Sequence, residues 1–232
     1  SHPGYNSTLF GREYARQLGK PIFEVQHHKA HFASVLGEHQ LFSSNKKVLG
    51  VVWDGTGYGD DGQIWGGEFF VYEDRSIERI DHFSYFDWMT GDKMAKEPRI
   101  SCLALCDPNY NHLLSEKFTA QELSLYQALL QKDGLKTSSV GRIFDALASL
   151  LNICDRNSYE GEAAILLENR TTSYVIDNCA SYLDVLENGM ISSQALFRNI
   201  CMDFLSGNST ENIISNFFYT LAKLVFTMAD RN

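Results

Sequence analysis

The sequence predicts an α/β protein built as mixed α+β lobes, and three features predict it. Residues 47–53 form a nearly continuous apolar run, the kind that is buried on both faces of a sheet. A glycine-rich stretch, residues 54–62, joins that run to a second apolar run at 63–72. From Met94 onward the spacing of apolar residues turns mostly helical. Strands first and helices after suggest a boundary near residues 87–95. The first lobe covers 1–90, and a mainly helical second lobe covers 91–232.

In chain order, residues 7–18 read as a helix that ends at Gly19. The apolar residues 21–26 predict a short strand, which feeds a helix over 28–41 and then a loop at 42–45. The strand over 47–53 ends at Asp54, where a glycine-rich turn begins. Within it, Asp61-Gly62 is a strong type I′ hairpin signal. A strand over 63–72, a turn at Glu73-Asp74-Arg75 and a strand over 77–86 complete a β-meander. Lys93, Lys96, Glu97, Pro98 and Arg99 read as a solvated charged connector between the lobes. Thr119 and Glu122 form a capping box that opens a helix to about Gln131. A further helix covers 137–151, with Ser138 or Ser139 as its N-cap. Another helix starts near Glu160, and residues 208–211 cap a final amphipathic helix to about Ala229. The stretch 174–207 carries no clear pattern.

A chain of 232 residues with 44% hydrophobic content buries a substantial core. No apolar run is long enough to span a membrane, so no membrane association is expected. The chain does not begin with Met and is expected to be a piece of a longer protein. Its net charge of -9 leaves no basic cluster beyond Lys46-Lys47, which counts against a nucleic-acid partner. A protein or small-molecule substrate fits better. Cysteines stand at 102, 106, 154, 179 and 201, without a C-x-x-C pair. They read as buried thiols in a reducing, cytoplasmic setting, although Cys102 and Cys106 are also spaced as metal ligands.

The chemistry concentrates in two runs. His27 and His31 stand four apart at a helix start and share one face, the spacing that lets two imidazoles reach one ion. His28 then points away from the pair. Asp54 ends a buried strand, where an unpaired carboxylate is costly, and is the natural third donor. The glycines at 55, 57, 59 and 62 exceed what a two-residue hairpin needs, so successive N–H groups there are suited to an anion. Ordinary helix histidines and an ordinary tight turn would account for the same residues one by one. Gly66-Gly67 mark a close backbone approach within a strand. The segments 138–145 and 159–164 are helix starts, which also bind phosphates and hydroxyls.

Together the runs HHKAH, VVWDGTGYGDDGQIWGGEFF, SSVGRIFDALASLL and YEGEAAILLE, in this order and spacing, resemble the carbamoyltransferase region of the HypF family. That family matures nickel–iron hydrogenases. The resemblance extends from His2-Pro3-Gly4-Tyr5 to the last helix. It implies an actin/hexokinase/Hsp70-like ATPase fold, here an incomplete fragment, related to the TsaD enzymes. HypF proteins form carbamoyl adenylate from carbamoyl phosphate and ATP, on a separate YrdC-like domain. They pass the carbamoyl group to the C-terminal cysteine of HypE, where it becomes a cyanide-ligand precursor.

By the match of motifs, His27 and His31 are metal ligands and Asp54 is a third ligand or close partner. These three are also the implied catalytic residues, on iron or zinc. Gly55, Thr56 and Gly57 would cradle phosphate, and Ser139, Glu160 and Gly161 would contact nucleotide. Blocks resembling G-G-x-x-K-N and S-G-G-V-x-x-N are missing, as are the last ligand aspartate and the acylphosphatase, zinc-finger and YrdC-like portions. The resemblance therefore implies a fragment that is inactive alone. The competing readings are an antibiotic O-carbamoyltransferase, a TsaD-like tRNA-modifying transferase and a partner-binding module without turnover.

Overall fold

In the computed structural model, which describes residues 5–44, 46–171, 179–182, 186–187 and 190–232, the chain opens with α1 (Asn6–Gln17) and α2 (His27–Glu38). Residues 1–4 of the family resemblance, Asn45 of the expected loop and part of 174–207 lie outside the described residues. Helix α1 ends where expected, with Gly19 at φ 58 and Lys20 N–H bonded to Ala15 O. The strand expected over 21–26 does not form. Apolar residues make a strand only beside another strand's edge, and here Phe23 is 85% exposed with no ladder partner. The segment is tied instead through Glu24, which accepts two hydrogen bonds from Arg12, at 2.5 and 2.6 Å. Helix α2 also stops short of Leu41, because Gln40 adopts a left-handed conformation.

The meander is present as β1 (Val48–Tyr58), β2 (Ile64–Glu73) and β3 (Ser76–His82), all antiparallel. It departs from expectation at its first hairpin. The strand does not end at Asp54: β1 continues through Tyr58, with a bulge between Trp53 and Gly57. The turn proper is Gly59–Gly62, closed by Gly62 N–H on Gly59 O at 3.1 Å, and only Gly62 in it is left-handed. Both central residues of a type I′ turn have positive φ, and they are found at Asp74 and Arg75 instead (φ 49 and 62). Strand β3 stops at His82. Beyond it, β4 (Phe86–Asp87) pairs with β5 (Lys136–Thr137), which lies parallel to β2 at Ile64 and Thr137. The helix expected from residue 137 accordingly begins only after β5.

The helices are α3 (Asp92–Lys96), α4 (Pro98–Leu105), α5 (Ala120–Leu130), α6 (Val140–Leu150), α7 (Glu162–Arg170), α8 (Ser193–Leu205) and α9 (Thr210–Arg231). The short hairpin β6 (Leu186–Glu187) and β7 (Met190–Ile191) precedes α8. The Thr119–Glu122 capping box forms as expected, Ser139 caps α6, and Ser209 caps α9. One apolar cluster joins Phe69, Phe83 and Phe86 of the sheet region to Leu103, Ile143 and Phe217 of the helices. Each such side chain contributes about 1.5–3 kcal/mol by leaving water.

The charged connector is solvated only at Lys93 and Lys96. Glu97 and Arg99 are buried, and Arg99 donates to Glu97 (2.7 Å), to Glu122 (2.8 Å) and to Lys117 O (2.5 Å). A buried guanidinium needs such partners, so the run packs as α3 and α4 rather than as a linker. The same Arg99 contact, with the Thr119 cap, holds the Glu122 carboxyl down to about 2. Cys102 and Cys106 are buried, and the Cys106 thiol pairs with that of Cys201. Burial pushes the Cys102 thiol well above its usual range, as expected of core thiols rather than ligands.

Candidate metal centre

Gln26 starts the site. As N-cap of α2 its side-chain oxygen accepts Lys29 N–H at 3.0 Å, and the helix then presents His27 and His31 one turn apart. Both rings face β1 at Asp54. His27 Nε2 lies 2.9 Å from Asp54 Oδ2 and 3.1 Å from His31 Nε2. Asp54 Oδ1 is held by the N–H of Gly55 at 2.6 Å, which leaves Oδ2 toward the histidines. One ligand atom from each residue falls within 4.8 Å of the others, the one such grouping among the described residues. Two imidazole nitrogens and a carboxylate oxygen, reachable from solvent, fit a divalent transition metal such as zinc or iron.

His28 departs from expectation. It is fully buried and does not point clear of the pair: its ring meets that of His27 edge-on at 5.1 Å, and its Nε2 lies 3.9 Å from Asp54 Oδ2. Its ring packs against Trp65 and fills the space above Gly57, where any side chain would overlap it. Burial pulls its pKa down to about 4, so the ring is neutral at physiological pH. Nε2 makes no hydrogen bond.

The remaining predicted residues are distributed as follows. Gly55, Thr56 and Gly57 lie in β1 rather than in a turn, with Thr56 exposed. Ser139 is brought to the centre as a clamp: its Oγ lies 2.8 Å from both Asp54 O and Gly55 O and accepts Arg142 N–H at 3.2 Å. Gly141 permits this contact, since a Cβ there would stand 2.8 Å from Gly55 Cα. Glu160 and Gly161 sit exposed at the start of α7, which packs on α6, and Gly161 is the left-handed N-cap.

Sequence reasoning missed the supports beneath these residues. Glu68 is fully buried and accepts Gly66 N–H and Gly67 N–H at 3.2 Å each, and also bonds Ser138 Oγ and Arg79 Nε. Arg79 in turn lies over the Trp65 ring at 3.9 Å. Asp61 fastens the hairpin tip through Trp65 Nε1 (2.8 Å) and Tyr85 OH (2.5 Å). A lone carboxylate inside the apolar run 64–72 was the available signal for Glu68. Arg142 and Asp145 form a buried ion pair at 2.7 Å on α6, and burial pushes the Asp145 carboxyl up to about 6.

Comparison with known families settles the kinship. A family model described as the carbamoyltransferase Kae1-like domain, second subdomain, matches residues 50–232, and the HypF Kae1-like domain model matches residues 1–38. The chain belongs to the HypF carbamoyltransferase family. HypF2 of Cupriavidus necator is 38% identical over 177 residues, covering 75% of this chain and 22% of its own length. HypF of Synechocystis is 36% identical over 188 residues, covering 72% of this chain and 24% of its own. A full-length HypF crystallised in a phosphate- and nucleotide-bound form aligns with a TM-score of 0.84 and 30% identity, over 99% of this chain and 30% of that one. The mixed α/β fold is thus that of HypF proteins, and the chain spans less than a third of these relatives. Among the described residues no helix is long and apolar enough to cross a membrane.

Proposed function

We propose that this chain is the metal-bearing part of a HypF-type carbamoyltransferase. In that reading it serves transfer of the carbamoyl group of carbamoyl adenylate, made from carbamoyl phosphate and ATP, to the C-terminal cysteine of a HypE-like acceptor in the cytoplasm. The observation that carries the reading is the convergence of His27, His31 and Asp54, from two segments matched separately by HypF family models. His27 and His31 would hold iron or zinc, with Asp54 as the anionic ligand. When bound, such an ion supplies Lewis-acid polarisation and stabilises developing oxyanion charge.

The chain's own residues do the rest by position. Gly55, Thr56 and Gly57 are assigned to substrate phosphate, supported by their place directly after Asp54 and by the exposure of Thr56, with the Gly55 N–H itself retained by Asp54 Oδ1. Ser139 holds the Asp54–Gly55 backbone in place for that task. Glu160 and Gly161, at the exposed N-terminus of α7, are assigned to the nucleotide. Residues 1–90 then form a metal- and phosphate-facing lobe, and 91–232 a nucleotide-facing one.

The test uses a full-length HypF carrying this segment. Labelled carbamoyl phosphate and ATP are supplied with a peptide ending in cysteine. Wild type is expected to label the peptide, and His27→Ala to lose more than about 100-fold, beyond what an outer partner of a metal costs. Equal labelling by both would remove the metal role of His27. ATP consumption without label in either would point to a hydroxyl or tRNA acceptor.

A further inference from the structure

We propose that Gln26 and His28 form a positioning arm for Asp54, in which His28 offers its Nε2–H to the Asp54 carboxylate when His27, His31 and Asp54 hold a divalent cation. This inference rests on the metal reading above.

It begins with the orientation of one amide. Gln26 Oε1 accepts Lys29 N–H at 3.0 Å, so the oxygen faces the helix. Its NH2 group therefore faces the other way, where it donates to Tyr58 O at 3.0 Å and meets His28 Nδ1 at 2.9 Å. A ring nitrogen that accepts a hydrogen bond carries no proton. In the neutral imidazole the proton then sits on Nε2. That N–H is buried, has no hydrogen-bond acceptor and stands 3.9 Å from Asp54 Oδ2.

The arrangement leaves the ring little choice of direction. Trp65 lies against one side of it, and Gly57 is open only because it has no side chain to collide with His28. Asp54 Oδ1 already has a fixed donor in Gly55 N–H. Oδ2 is engaged by His27 at 2.9 Å. With His27 and His31 holding a cation, their ring nitrogens would no longer be free to engage Oδ2. His28 is then the protein donor facing Oδ2, about 1 Å beyond ordinary hydrogen-bond length, a gap that a small side-chain rotation closes. With a donor on each oxygen the carboxylate is held in one plane, as outer partners hold metal-ligating groups elsewhere. A neutral, tautomer-fixed donor achieves this without placing a second positive charge beside the ion.

Two measurements test the arm. Long-range nitrogen–proton correlation spectra of the uniformly labelled chain report which ring nitrogen of His28 bears the proton. Nε2 protonation is expected, and a proton on Nδ1 would overturn the proposal without any variant having to fold. Cobalt(II) titration, followed by its visible absorption bands, then compares wild type, His28→Leu, His28→Gln and His27→Ala. His28→Leu is expected to bind cobalt about 10–100-fold more weakly, and His28→Gln, which keeps an N–H, to recover most of the loss. His28→Leu binding as tightly as wild type while His27→Ala fails to bind would overturn the arm and leave the metal site standing. Unaltered binding by His27→Ala would remove the metal reading, and the arm with it.

Discussion

Arg79→Met lowers the unfolding free energy by about 3–5 kcal/mol, the cost of stripping a fully buried carboxylate of its cation. Glu68 has no exposed surface, and its ion-pair partner is Arg79. The methionine also takes the guanidinium off the Trp65 face, a contact worth about 0.5–1 kcal/mol and small beside the loss of the charge. At this chain length it corresponds to a fall in Tm on the order of 10 °C. The double variant Glu68→Gln, Arg79→Met recovers at least half of it. Its glutamine oxygen still accepts Gly66 and Gly67 N–H, and no charge is left buried. Thermal and urea unfolding of the three variants check this. A single variant within about 1 kcal/mol of wild type would mean that Glu68 is not a buried anion.

Gly67→Ala carries the second large effect, a destabilisation of about 3 kcal/mol. A Cβ at this position overlaps the carbonyl oxygen of Ser138 and stands 3.0 Å from the Phe83 ring. A side chain can rotate away, but a backbone carbonyl at the β5–α6 junction cannot without moving Ser139. The variant is therefore expected to lose metal affinity as well as stability, because Ser139 holds the Asp54 and Gly55 carbonyls. Urea unfolding and cobalt titration on one preparation measure both losses. A variant that is destabilised yet binds cobalt normally would uncouple the junction from the site.

How much of this was legible in the chain depends on how local each signal is. The Thr119–Glu122 box, the Ser139 cap and the glycine stop of α1 lie within a few residues of what they control, and all three appear as read. The His27–His31 pair is legible for the same reason, since one helical turn sets its geometry. Signals that need a distant partner misled. Residues 21–26 have strand composition and no strand to pair with. Lys136–Thr137 becomes a strand only because β2 and β4 border it, and a two-residue element has no periodicity to detect. Asp61-Gly62 carries the better type I′ sequence, yet the bulged β1 needs a longer turn there, and the tighter one falls at Asp74-Arg75. In the site, the roles of His28, Glu68 and the Ser139 hydroxyl are fixed by segments tens of residues away, beyond the reach of any spacing rule.

The Ser139 clamp has a mechanical consequence. Its hydroxyl bridges the first turn of α6 to the backbone of Asp54, and Gly141 lets helix and strand touch without a cushion of side chains between them. Most of α6 is buried, so it has little freedom to bend within its own length. Helix and carboxylate therefore behave as the two ends of a single strut. A displacement imposed on α6, whatever its source, reaches Asp54 undamped instead of being absorbed by a compliant loop.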